Sequence, residues 1–253
     1  MQHVFGAGAV WGTPLTDAYG ASIANPTPIL CGVMQDISVD ISFDEKLLYG
    51  RKNFAVARGR GKGKVDWKSK FAQVSGRAIA QLFFGQAVSA GLFADYLDET
   101  GTAIPASTPY TITPTIPGTG TWINDLGVRS ITGVPFVCVA ASPAAGQYTV
   151  ANGVYTFAAA DQGATVFISF QYTATSTVAQ KSTIMNVNMD QPPVFRLDLF
   201  HSYAQKGLSL SLFSCASSKL SLASKQDDFM IPELDGSAIC DSLGRLGTWG
   251  TAE

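Results

Sequence analysis

Apolar and polar residues alternate with a period of two through much of this chain. From Met34 onward, Ile37, Val39, Ile41 and Phe43 alternate with Asp36, Ser38, Asp40, Ser42 and Asp44, the signature of a strand with one apolar and one polar face. Arg58, Arg60, Lys62, Lys64, Asp66, Lys68 and Lys70 repeat that period, with Gly59, Gly61, Gly63, Val65 and Trp67 between them. Between these two ladders, residues 44–52 break the alternation and expose Leu47, Leu48 and Tyr49 among charges. That stretch reads either as a loop folded back on the core or as a docking loop. An acidic ladder close to a basic one closes inside one subunit or joins one subunit to the next, and both arrangements satisfy the pattern.

Further along, Gln147-Tyr148-Thr149-Val150 and Val154-Tyr155-Thr156-Phe157 flank an Asn152-Gly153 turn, the sequence of a β-hairpin. The stretches 164–172, 194–200, 207–213 and 219–222 alternate in the same way. One segment differs. Ser75 is a good N-cap, Ala78, Ile79, Leu82 and Phe83 form an apolar stripe, and Gly85 suits a left-handed C-terminal residue, which predicts the chain's one helix. The first thirty or so residues, rich in Gly, Ala, Pro and Thr, read as an extended arm (1–31) that needs a partner surface to be ordered. The expected architecture is mainly β: a single domain over 1–253, an antiparallel sandwich or barrel with one flanking α-helix and a β-rich insertion at about 104–178.

Composition sharpens this picture. Only 14% of the 253 residues are charged and 46% are hydrophobic, against a typical charged share of about 25%. Such a chain either buries surface against partners or has a large core. The net charge of -2 conceals an imbalance, because nine of the 17 basic residues but only one of the 19 acids fall between Lys46 and Lys70. A basic region on an otherwise acidic chain suits head-to-tail association between copies, whereas a general nucleic-acid binder is basic overall.

Candidate chemistry is sparse. The two histidines, His3 and His201, stand in no metal-ligand spacing, and Cys31, Cys138, Cys215 and Cys240 are scattered, so the cysteines read as reduced, buried small side chains. Asp98/Glu99 and Asp227/Asp228 read as turn and solvent-facing residues. No Gly-x-Ser-x-Gly elbow occurs, and neither Gly61-Lys62 nor Gly63-Lys64 is followed by the Ser or Thr that a phosphate-binding loop requires. The interleaved Arg and Gly would suit a minor-groove hook, but the continuation through Trp67 embeds them in a strand. No secretory leader and no apolar run long enough for a membrane span are seen. The expectation is a non-enzymatic protein without cofactor or metal, folded in a cytoplasm.

The stretch 33–43, the Leu47-Leu48-Tyr49-Gly50 loop, the Arg58 to Lys70 strand and the Ser75 to Gly85 helix ending Leu-Phe-Phe-Gly resemble the N-terminal half of the major tail tube proteins of long-tailed bacteriophages. Segments 146–172, 219–222 and 227–229 are similar to stretches of such phage structural proteins. The resemblance implies a tail-tube-like fold whose subunits form hexameric rings, stacked into a hollow conduit that genomic DNA crosses without specific binding. It implies a virion protein, assembled in the host cytoplasm, whose partners are copies of itself, a tape-measure protein and tail terminator or tip proteins, with no membrane involved. By position, the loop that reaches a neighbouring ring is residues 44–53. A conduit should not hold phosphates tightly, so the basic ladder is expected mostly at subunit contacts, with Asp36, Asp40 and Asp44 as partners. The expected interface is Asp36, Asp40, Asp44, Leu47, Leu48, Tyr49, Arg51, Lys52, Arg58, Arg60, Lys62, Lys64 and Lys68. Alternative readings are the tube protein of a contractile injection or secretion machine, or a β-rich tail-tip or capsid-surface binding module.

Overall fold

In the computed structural model, which describes residues 6, 8–73, 75–189, 192–203 and 206–252, the alternating stretches are strands. The chain divides into two units, one from the segments up to Val88 and from Ser182 onward, the other Ser89–Lys181. The first begins with β1 (Ala9–Pro14), β2 (Ile29–Leu30), β3 (Met34–Tyr49) and β4 (Ala55–Phe71), followed by a short helix, α1 (Gly76–Ala78), that continues as a π turn over Ile79–Phe83. The second holds β5 (Ser89–Ala90), β6 (Leu92–Tyr96), β7 (Thr102–Ala103), β8 (Thr111–Ile112), β9 (Thr121–Ser130), β10 (Val137–Cys138), β11 (Gln147–Ala151), β12 (Val154–Phe157), β13 (Thr165–Ala174) and β14 (Gln180–Lys181). The chain returns to the first unit as β15 (Phe195–Tyr203), β16 (Lys206–Ser221), β17 (Glu233–Ile239) and β18 (Gly247–Ala252). The protein is thus mainly β, its sheets antiparallel except for the β10–β11 pair.

The first unit is one eight-stranded sheet in the order β2-β1-β15-β16-β17-β4-β3, with β18 beside the first half of β16 and β17 beside the second. Three strand spacings separate β15 from β4, ~14 Å in a flat sheet. Yet the Trp67 and Phe195 rings meet edge-on at 5.7 Å between centroids. The sheet therefore curls over a core that also takes in Val10, Ile29, Val65, Phe71, Leu82, Leu212 and Leu234. The helix covers this apolar face. Ser75 caps it, its hydroxyl accepting from the Ala78 amide at 3.3 Å, and Gly85 ends it at φ 63°. Its second half is wider than expected, the Phe84 amide donating to the Ile79 carbonyl five residues back at 3.3 Å.

The N-terminal arm behaves differently from the expectation. From Ala9 to Pro14 it pairs with β15 residue for residue, and Val10 is 1% exposed, so this part is ordered by its own sheet and needs no partner. The inward positions are Val10, Gly12 and Pro14. A side chain at Gly12 would run into Leu82 of the helix, so close packing demanded a residue that hides the alternation. Residues 1–5 and 7, including His3, and Val74 before the helix lie outside the described residues.

The second unit is wider than the insertion expected at about 104–178. Its β13 pairs with β9 along one edge and with β6 and β7 end to end along the other, and the second sheet runs β10-β11-β12-β8. Both contribute to a separate core around Val128, Tyr148, Tyr155, Phe157, Ile168 and Phe170. The hairpin at Asn152-Gly153 forms as the sequence predicts, with both residues at positive φ, 49° and 82°. Asp98 is a correction: it is 6% exposed, not solvent-facing. Its carboxylate accepts from the amides of Thr100, Gly101 and Ile168 at 3.0, 3.0 and 3.1 Å. Burial pushes its pKa up, but these donors outweigh burial and hold it below the ordinary carboxylate range.

Candidate assembly surface

The β3–β4 hairpin extends well beyond the sheet that carries it. β17 accompanies β4 only as far as the Ala238–Val65 pair. From there to the turn at 50–54 the two strands pair only with each other, a ribbon roughly 25 Å long at the usual strand rise. Among the described residues, β3 has no partner on its outer edge and β4 none beyond Val65. The ribbon also carries exposed apolar side chains at and near its end, with Leu48 63% exposed and Phe54 85%, joined by Phe43, Leu47, Tyr49 and Val56. Residues 44–49, expected as a loop, are therefore strand, and the irregular part is confined to 50–54. Arg51 and Lys52 lie in that turn.

Register decides which side chains share a face. Near the body, Asp36 stands opposite Lys70, Ser38 opposite Lys68, Asp40 opposite Asp66 and Ser42 opposite Lys64. The acidic and basic ladders thus adjoin within one subunit. Between the Phe43–Gly63 and Glu45–Arg60 pairs, β4 advances by one residue more than β3. Such a bulge reverses the side to which every later residue points. The basic ladder consequently splits. Lys64, Lys68 and Lys70 share the polar face of the sheet, whereas Arg60 and Arg58 lie on the other face with Phe43, Glu45 and Leu47. Lys62 falls at the bulge beside Asp44. A single extra residue thus divides a ladder that runs with an unbroken period of two in the sequence.

The contacts follow the faces. On one, the Arg60 guanidinium sits 3.3 Å from the centre of the Phe43 ring and Arg58 Nε bonds Glu45 at 3.1 Å. A side chain at Gly63 would come within 2.8 Å of that ring, so the glycine leaves the space that Phe43 occupies. An open groove of about 610 Å³ is lined here by Phe43, Asp44, Glu45, Arg58, Gly59 and Arg60. On the other face, Lys64 bonds Asp66 at 2.8 Å and Lys70 bonds Glu233 at 3.2 Å, while Lys219 approaches Glu233 at 3.6 Å and Asp235 at 3.9 Å. The hydrogen bond and charge of Lys70, with a further contribution from Lys219, hold the Glu233 carboxyl below its usual range. Asp36, Asp40 and Asp44, the expected partners of the basic ladder, form no ion pair among the described residues. Exposed pairs of this kind add little stability; their effect is to interleave charge on the polar face.

Elsewhere, no group of His, Cys, Asp and Glu among the described residues is arranged to hold a metal ion. Cys31 and Cys215 are buried, and burial pushes both thiols up to about 12, whereas Cys138 and Cys240 are exposed, contrary to the expectation for all four. No helix of the described residues is long and apolar enough to cross a membrane. Neither a protein-family model nor any curated protein matches the sequence.

Proposed function

We propose that this chain is the major tail tube subunit of a long-tailed bacteriophage, a structural protein that assembles through its β3–β4 ribbon into stacked rings around a channel for DNA. One observation carries the reading: a ribbon with both edges unpaired among the described residues, and with an apolar tip, projects from a curled sheet whose apolar side is already filled by a core and a helix. A lone two-stranded ribbon is at best marginal in water, and open edges with exposed apolar groups are liabilities in a monomer. Pairing those edges with neighbouring copies removes both. The charge distribution agrees, since residues 44–60 hold five of the 17 basic residues and two of the 19 acids, leaving the rest of the chain acidic. On the polar face, Asp36, Asp40, Asp66, Glu233 and Asp235 are interspersed with Lys64, Lys68, Lys70 and Lys219. Such a surface lacks the uninterrupted basic stripe that would retain phosphates.

The test is negative-stain electron microscopy of purified protein over a concentration series. Rings or tubes with a central channel wide enough for duplex DNA are expected. Monodisperse single subunits at every concentration, with and without a preformed tail initiator, would count against the proposal.

A further inference from the structure

We infer that the ribbon docks onto a second copy of the chain through one face along its shaft, the one bearing Phe43, Leu47, Arg58 and Arg60, while the opposite face from Lys64 to Lys46, short of the apolar tip at Leu48, stays in water. This rests on the tube reading and adds to it the side of the ribbon that makes the contact. The bulge between Gly63 and Arg60 is what makes the two sides unlike. Without it, Arg58 and Arg60 would extend the lysine face, and the apolar side would carry glycines at 59 and 61. With it, an aromatic ring, a leucine and two guanidinium groups converge on one side.

That combination has the chemistry of a buried contact. Aromatic residues and Arg are enriched in protein interfaces and Lys is depleted, because a guanidinium is more weakly hydrated than an ammonium and bonds a carboxylate with two parallel donors. Arg58 already holds Glu45. Arg60 lies over the Phe43 ring beside the open groove and forms no ion pair with a carboxylate among the described residues. Its remaining donors suit an acid on the incoming copy, and the acidic balance of the chain outside the ribbon supplies one.

Two substitutions at the same height separate the faces, since Glu45 pairs with Arg60 and the next residue, Lys46, pairs with Gly59. Arg60→Glu and Lys46→Glu make the same change of charge on opposite sides, and both sites lie outside the core, so each variant should keep the wild-type far-UV spectrum and melting temperature. Assembly is read as the concentration at which half the protein sediments as polymer. Arg60→Glu is expected to raise it by about tenfold or more, the effect of losing one well-buried contact, and Lys46→Glu by no more than about twofold. Equal effects, or a larger one at Lys46, overturn the face assignment while leaving the tube reading in place. A wild-type chain that never self-associates overturns both.

Discussion

At the scale of single residues, Asp98 and Gly85 make the sharpest claims. Asp98 is buried and accepts four hydrogen bonds, one of them from the Thr100 hydroxyl at 3.1 Å. Replacing it by Asn leaves at least one donor without its carboxylate oxygen and should cost roughly 1–3 kcal/mol in chemical denaturation. Its folded-state pKa lies below the unfolded value, so the carboxylate's contribution is fully present above the unfolded pKa of about 3.9 and is lost as pH falls through the lower, folded one. Melting curves from neutral to acid pH should therefore show the gap between wild type and Asp98→Asn constant above about pH 5 and narrowing only below about pH 4. Gly85 fails for two reasons at once: its φ is 63°, and a Cβ there would lie 2.6 Å from the Ala18 amide nitrogen. Gly85→Ala should cost roughly 2 kcal/mol or more, with strain and contact adding. A melting temperature unchanged by that substitution would mean that the helix end is not held against Ala18 as described.

Among the elements, the ribbon is the one whose removal should be silent for folding. Beyond Phe43 and Gly63 it adds nothing to the buried core. Replacing residues 45–59 by a two-residue turn should leave the melting temperature within about 3 °C, the shift expected for less than 1 kcal/mol, and should abolish self-association in sedimentation. A collapse of the fold instead would make the ribbon part of the core. Much at this level was legible in the sequence. The strands announced themselves by alternation, the Asn152-Gly153 turn by its chemistry, and the helix by Ser75, its stripe and Gly85. What stayed hidden has a physical cause in each case. The bulge lies among Gly59, Gly61 and Gly63, which have no side chains to reveal the face they are on. The first strand was disguised by Gly12 and Pro14 at its inward positions. Asp98 looks like any turn aspartate until Ile168, remote in sequence, is brought to it.

For the whole molecule, the governing feature is that the second unit is inserted in the sequence of the first, between Val88 and Ser182. Its entry and exit strands are neighbours, Ser89 opposite Lys181 and Ala90 opposite Gln180. On the other side of the junction, the Ser182 hydroxyl donates to the Ala87 carbonyl at 3.0 Å. Each unit has its own core. Residues 89–181 expressed alone should therefore melt cooperatively, and a chain with Val88 joined to Ser182 through a short Gly-Ser linker should still fold and form the same assemblies. Calorimetry of the full chain should resolve two transitions, each matching one isolated unit; a single transition at a temperature neither part reproduces would show the two to be inseparable. The pairing of Ser89–Ala90 with Gln180–Lys181 also makes this junction a socket. Its two chain ends lie one strand spacing apart, ~5 Å, so an unrelated domain whose own termini are that close can replace the native one, and every copy in an ordered array would then present the graft at a fixed repeat.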